Sequence, residues 1–253
     1  MSTLVLRDTR TLLGRSLRHI LRSPDTIITT AITPIAMLLL FVYVFGAAID
    51  SGDGKYVNYL LPGILLITVA SGIAYTSYRL FLDLQGGIFE RFLSMPIARS
   101  AALWGHVLTS LVANAISVVL VVLVALLMGF RSGAGLVAWL GVAGLLVLFT
   151  LALTWLAVIA GLAARSPDGA GGFAYPIIFL PFISSAFVPT DGMPGPVRWF
   201  AEHQPVTSIV NTLRALLGEQ PVGADGWLAL AWCAGLLVLA YALAMRAYRR
   251  RFA

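Results

Sequence analysis

The residues able to do chemistry are few, and the densest group is Gly86-Gly87-Ile88-Phe89-Glu90-Arg91-Phe92-Leu93-Ser94-Met95-Pro96-Ile97-Ala98-Arg99. This stretch is short and partly charged, and it lies between two apolar runs that are each long enough to cross a bilayer. In this pattern its side chains suit contact rather than covalent catalysis. They offer a mixed apolar and charged face that another protein can grip from the water side. The competing reading is a plain amphipathic surface turn.

Patterns for catalysis, nucleotide binding and metal ligation are absent from the sequence. Ser51-Gly52-Asp53-Gly54-Lys55-Tyr56 ends in Gly-Lys but lacks the Gly-x-x-x-x-Gly-Lys-Ser/Thr spacing, so it reads as a turn. His19, His106 and His203 fall in three separate polar or boundary segments, and nothing in the sequence pairs them as metal ligands. No catalytic carboxylate pair shares a membrane face. Cys233, the one cysteine, lies in an apolar run and reads as packing. No catalytic, cofactor-binding or metal residue is therefore assigned, and the chain is not read as an enzyme.

Some polar side chains do fall within apolar runs: Ser71, Tyr75 and Thr76, Asn114 and Ser117, Thr150 and Thr154, and Ser184 and Ser185. Their ordinary use is hydrogen bonding between helices. Asn114 is the costliest of them to bury unpaired. Ser71, Tyr75, Asn114, Phe182, Ser184 and Ser185 are carried forward as candidates for a substrate pathway.

The elements that must position these groups follow from composition. The 253 residues are 59% hydrophobic and 11% charged, where a soluble domain carries about a quarter charged residues. The charges sit between long uncharged runs, which is the pattern of an all-α polytopic membrane protein. Six spans are expected, at about 27–49, 56–78, 103–130, 136–164, 171–188 and 227–245. Between Arg131 and Arg165 lie 33 uncharged residues, about 50 Å of helix, so the fourth span must tilt or carry interfacial turns. Pro176 and Pro181 make the fifth irregular. The assigned spans contain no Asp, Glu, Lys or Arg in their interiors, whereas ion-coupled carriers generally need one.

Residues 4–23 read as an in-plane amphipathic helix with five arginines on one arc and Leu12, Leu13, Leu17 and Ile20 opposite. Residues 189–225 hold five prolines with apolar residues between them, and read as short helices dipping into the outer leaflet. The loops expected on one side carry 13 basic residues and those on the other 4, while acidic residues divide 5 against 6. That asymmetry places both termini and residues 86–99 in the cytoplasm. It also accounts for the net charge of +6 without a nucleic-acid partner. No separate soluble domain is expected within 1–253.

With these segments in order, the chain resembles the membrane subunit of type-2 ABC transporters, the family of bacterial drug, antibiotic and polysaccharide exporters. Gly87 through Arg99 looks like the family's cytoplasmic coupling helix between spans 2 and 3. Phe179-Leu180-Pro181-Phe182-Ile183-Ser184-Ser185-Ala186-Phe187-Val188-Pro189, continuing through Trp199 and Pro205 to Arg214, resembles its fifth span and the extracellular re-entrant helices that follow. One departure is Gln204, where the family commonly has Asn before the proline.

The resemblance implies a pair of permease subunits in the bacterial inner membrane. Separate cytoplasmic ABC ATPases would dock beneath them and hold the ATP and magnesium. Gly87, Phe89, Glu90, Arg91, Phe92, Met95 and Pro96 would then form the ATPase contact, with apolar knobs, a charged rim and a proline stop. The cargo would be a hydrophobic or amphipathic drug, antibiotic or lipid-linked molecule, moving through a seam lined by spans one, two and five. The alternatives are a polysaccharide or glycolipid exporter and an ion-coupled secondary transporter.

Overall fold

A computed structural model describes residues 24–46, 56–87 and 101–252. The in-plane segment 4–23 and most of the stretch 86–99 lie outside the described residues. Among those described, the regular elements are all helical and no strand is present.

Helix α1 spans Pro24–Leu40 and continues through a π-helical turn, Phe41–Phe45. Helices α2 (Tyr56–Gln85), α3 (Ala101–Leu127) and α4 (Leu136–Ala163) follow. Short pieces come next: α5 (Pro167–Gly172), α6 (Ala174–Phe179) and a 3-10 turn at Leu180–Ile183. A second 3-10 turn, Thr190–Gly192, leads to α7 (Gly195–His203) and α8 (Pro205–Leu217). The last helix is α9 (Gly223–Phe252).

Four of these helices are long and apolar enough to cross a membrane: α2, α3, α4 and α9. α1 is apolar but shorter. Where the sequence suggested a fifth span, Pro176 and Pro181 divide the chain into α5, α6 and a 3-10 turn, because proline removes a donor and clashes with the preceding turn. Two helices run further than expected. α2 continues past Tyr78 to Gln85, and α9 continues past Met245 to Phe252. Helical hydrogen bonding needs no hydrocarbon, so a helix keeps going where only its hydropathy changes. Arg79 and Asp83 consequently ride on α2 itself.

α2 is the axis of the molecule. Of its most apolar 18-residue window 72% is buried, against 22% for α9. Leu60, Leu61, Ile64, Leu65 and Ile67 of α2 are sealed in one core with Phe149 of α4 and Ile209 and Leu213 of α8. A second cluster around Trp155, Val158, Leu80, Leu103 and Tyr248 ties α4 to α2, α3 and α9 at the opposite end. α9 leaves Trp227, Val238, Leu239 and Leu243 uncovered. So little of this apolar helix is buried in its own chain that most of its surface is left uncovered among the described residues.

Close approaches need small residues. A Cβ on Gly63 would fall 2.6 Å from the Ala186 methyl, which holds the broken segment against α2. A Cβ on Gly161 would fall 3.0 Å from the Ser77 carbonyl, where α4 crosses α2. At its C-terminal end α4 offers the Leu162 carbonyl to the guanidinium of Arg251, so a helix end that lacks intrahelical donors is capped from α9.

Candidate functional site

The six candidate pathway residues fall into two groups, one beside the middle of α2 and one beside its N-terminal end. About 20 Å separate Tyr59 from Gly72 along the helix.

The first group lies where α1, α2 and α3 meet. Hydroxyls link the helices: Thr30 to Ser117 at 3.2 Å, Thr76 donating to Ser110 at 2.7 Å, and Ser110 to Thr154 at 3.4 Å. Asn114 Nδ2 donates to the Ser110 carbonyl at 2.9 Å. Its Oδ1 occupies the room left by Gly72, where a Cβ would lie 2.2 Å away. That oxygen and Thr109 Oγ1 are buried without a hydrogen-bond partner. A cavity of about 40 Å³ opens beside them, lined also by Tyr75, Arg79 and His106. It has room for a few waters at roughly 10–15 Å³ each, and not for a drug-sized molecule.

Next to that cavity, and sharing Thr30 and Tyr75 with it, is an open groove of about 420 Å³. Ser71, Tyr78, Asp168 and Tyr175 also line it, so it lies between α1, α2 and the α5–α6 segment. This volume is in the range of small-molecule pockets, roughly 300–1,000 Å³. Ser71, Tyr75 and Asn114 are thus brought together, with Ser71 and Tyr75 on the groove and Asn114 behind it.

The second group, Phe182, Ser184 and Ser185, is built into the fold beside the N-terminal turns of α2. Phe182 stacks on Phe187 with centroids 4.7 Å apart and touches Phe41. Ser184 Oγ donates to the Pro181 carbonyl at 2.6 Å and accepts from the Ala186 amide, closing the turn that ends the 3-10 segment. Ser185 is gripped by one stripe of α8. Its amide donates to Thr207 Oγ1, its hydroxyl donates to Asn211 Oδ1 at 2.7 Å, and its carbonyl accepts from Arg214. Gln204 Nε2 donates to the carbonyls of Leu180 and Ile183, so glutamine at this position holds the same turn from α8.

Arg214 was missed as a site residue. Its guanidinium lies 3.8 Å over the Tyr59 ring and donates to the Tyr59 and Ser185 carbonyls. Burial lowers its pKa from the free guanidinium value, yet an arginine stays charged at neutral pH. The signal was present in the sequence: Thr207, Asn211 and Arg214 recur at helical spacing on an otherwise apolar segment.

The structure gives His106 a neighbour that the sequence did not point to. The sequence offered His106 no partner, but its Nε2 lies 3.2 Å from Asp83 Oδ2. The contact joins the end of α2 to the start of α3. Those two ends flank the stretch containing Phe89, Glu90, Arg91, Phe92, Met95 and Pro96, which lies outside the described residues. Gly87 is described, and its φ of 68° is a left-handed turn that ends α2 and favours glycine.

Comparison with known proteins bears on the whole chain. The sequence matches the family described as ABC-2 type transporter over residues 7–217. It is 28% identical over 244 residues to the daunorubicin resistance ABC transporter permease protein DrrB1 of Streptomyces coeruleorubidus, covering 96% of this chain and 86% of that protein. It is 23% identical over 240 residues to the probable doxorubicin resistance ABC transporter permease protein DrrC of Mycobacterium tuberculosis, with 94% and 86% covered.

Proposed function

We propose, for a chain that belongs to the ABC-2 type transporter family, the role of membrane permease in an ATP-driven exporter of amphipathic drugs or antibiotics. The observation that carries this reading is its similarity, over nearly the whole chain, to permeases named for daunorubicin and doxorubicin resistance. The groove between α1, α2 and the α5–α6 segment supports it, being of drug size and on elements of the expected seam.

In this reading two permease copies pair across that seam. Six spans are completed by α1 with its π-helical turn and by the broken α5–α6 segment. Residues 4–23 lie in the inner interface, and both termini face the cytoplasm of a bacterial cell. The α7–α8 region, within 189–225, is the extracellular re-entrant part. A separate ABC ATPase holds ATP and magnesium and docks on residues 86–99. Its closure moves the loop, and the loop moves α2 and α3. Phe89, Phe92 and Met95 are the knobs, Glu90 and Arg91 the rim, Gly87 the entry and Pro96 the stop.

The test is reconstitution. Inverted membrane vesicles containing the permease and its co-expressed ATPase should accumulate daunorubicin when ATP is added. They should lose that activity when the ATPase is omitted. Accumulation that needs no ATPase and collapses with a protonophore would replace this reading with an ion-coupled carrier.

A further inference from the structure

We infer that the groove beside Asp168 is a recognition site for the positive charge of an amphipathic organic cation. This deepens the exporter reading and rests on it. Three tyrosines, Tyr75, Tyr78 and Tyr175, line the groove together with the Asp168 side chain. Tyr175 is 64% exposed and Tyr78 38% exposed. Among the described residues neither ring stacks on another aromatic, and the Asp168 carboxylate has no hydrogen bond or ion pair.

The chemistry of this set has one sign. Aromatic faces carry the negative lobe of the ring quadrupole and attract cations, most strongly where water is thin. A carboxylate among them adds a full negative charge. An anion would meet repulsion from the carboxylate and from the aromatic faces. A neutral lipophile would leave the carboxylate desolvated and unpaired, which is costly at a membrane boundary. An ammonium on an apolar body satisfies both parts, its charge at Asp168 and its body along the tyrosines, Ala74 and the glycines of α5.

Neither the helix that carries Asp168 nor the nearby arginines remove this preference: Arg165, three residues before Asp168, makes no ion pair with it. An acidic residue in the first turn of α5 complements the helix end, but that accounts for Asp168 alone and not for the tyrosines around it. Arg79 lines the small cavity behind Tyr75, not the groove. It makes no ion pair with Asp168.

A pair of fluorescent probes separates charge from hydrophobicity. One is a dansyl group on a five-carbon chain ending in trimethylammonium; the other ends in an uncharged tert-butyl group of the same shape. Binding to the purified wild-type permease in nanodiscs should favour the cation by about tenfold. Asp168→Asn should remove most of that preference and leave the neutral probe's affinity unchanged. Tyr175→Leu should weaken the cation several-fold, and Tyr175→Phe should restore it, since the ring face and not the hydroxyl is required. Asp168 and Tyr175 are exposed, so these variants fold. Equal binding of both probes, no binding of either, or a cation preference that survives Asp168→Asn would overturn the inference. If ATP-driven daunorubicin export persists in those cases, the exporter reading stands without it; if that export is itself absent, the exporter reading fails separately.

Discussion

The Arg214 guanidinium donates to the Ser185 carbonyl at 2.8 Å, across 29 residues of chain. The same carbonyl accepts from the Tyr59 hydroxyl at 2.9 Å, so α2, the broken segment and α8 meet at one oxygen. Thr207 and Asn211 take the remaining polar atoms of Ser185. Asn211 Nδ2 in turn donates to Asp225 at 3.0 Å, which extends the network to the start of α9. A buried irregular segment needs partners for the backbone groups its helix breaks leave open, and this stripe supplies them.

Arg214→Leu should therefore destabilise the permease by about 2–3 kcal/mol, the usual cost of losing hydrogen bonds to a charged, mostly buried donor. Arg214→Lys should fall between, because an ammonium keeps the charge but not the fork that reaches two carbonyls. Thermal unfolding in detergent measures both. Equal stability of Leu and wild type would show the contact to be idle.

Gly72 and Asn114 should couple in a double-mutant cycle. Gly72→Ala alone puts a methyl into the Asn114 carboxamide, expelling it from its bond to Ser110. The expected cost is about 1–3 kcal/mol. In an Asn114→Ala background the same methyl meets open space, so its cost should fall below about 1 kcal/mol. Additive costs in denaturant midpoints would mean that the two helices do not meet there.

Much of the architecture was legible because hydrocarbon imposes long uncharged runs, and α2, α3, α4 and α9 are such runs. Hydropathy says nothing about where a helix ends in water, so the placement of Arg79 and Asp83 on α2 was hidden. The polar groups within spans were visible as residues, but their roles depend on neighbours far along the chain. Ser71 and Ser185 look alike in sequence; one lines an open groove, and the other is consumed by Thr207, Asn211 and Arg214. Asp168 and Tyr175 were passed over because a loop acid and a span tyrosine have no shared period. Only the turn of α5 and α6 toward α2 brings them together.

The exposed end of α7 should respond to acid. Arg198 Nε donates to Glu202 at 2.7 Å, and this bond is the main cause holding the Glu202 carboxyl below its usual range. A depressed folded pKa means the contribution is present above the unfolded value of about 4.3 and is lost as pH falls through the folded value. Arg198 also reaches Asp191 at 3.0 Å, so the turn at Thr190–Gly192 loosens with it. Hydrogen exchange over 190–203 should accelerate from pH 5 to pH 3 beyond the intrinsic rate in wild type. Glu202→Gln should exchange fast at both. Both pairs are exposed, so about 0.5 M salt should mimic part of the acid effect.

Asp83 and His106 make a different kind of pair, because they close the base of the stretch through which the proposed ATPase acts. A loop whose two feet are tied together passes a push to α2 and α3 as one body; untied, it can flex between them and dissipate the motion. Asp83→Leu and His106→Leu should each leave the ATPase bound and hydrolysing while daunorubicin export falls about three- to tenfold, the scale of a 0.5–2 kcal/mol coupling change. The exchange of the two residues, Asp83→His with His106→Asp, should recover a large part of the loss. Recovery distinguishes a clamp from generic packing damage, which a swapped pair would deepen. Wild-type export per ATP in either single variant would remove the pair from the transmission path and leave the loop to act on one helix alone.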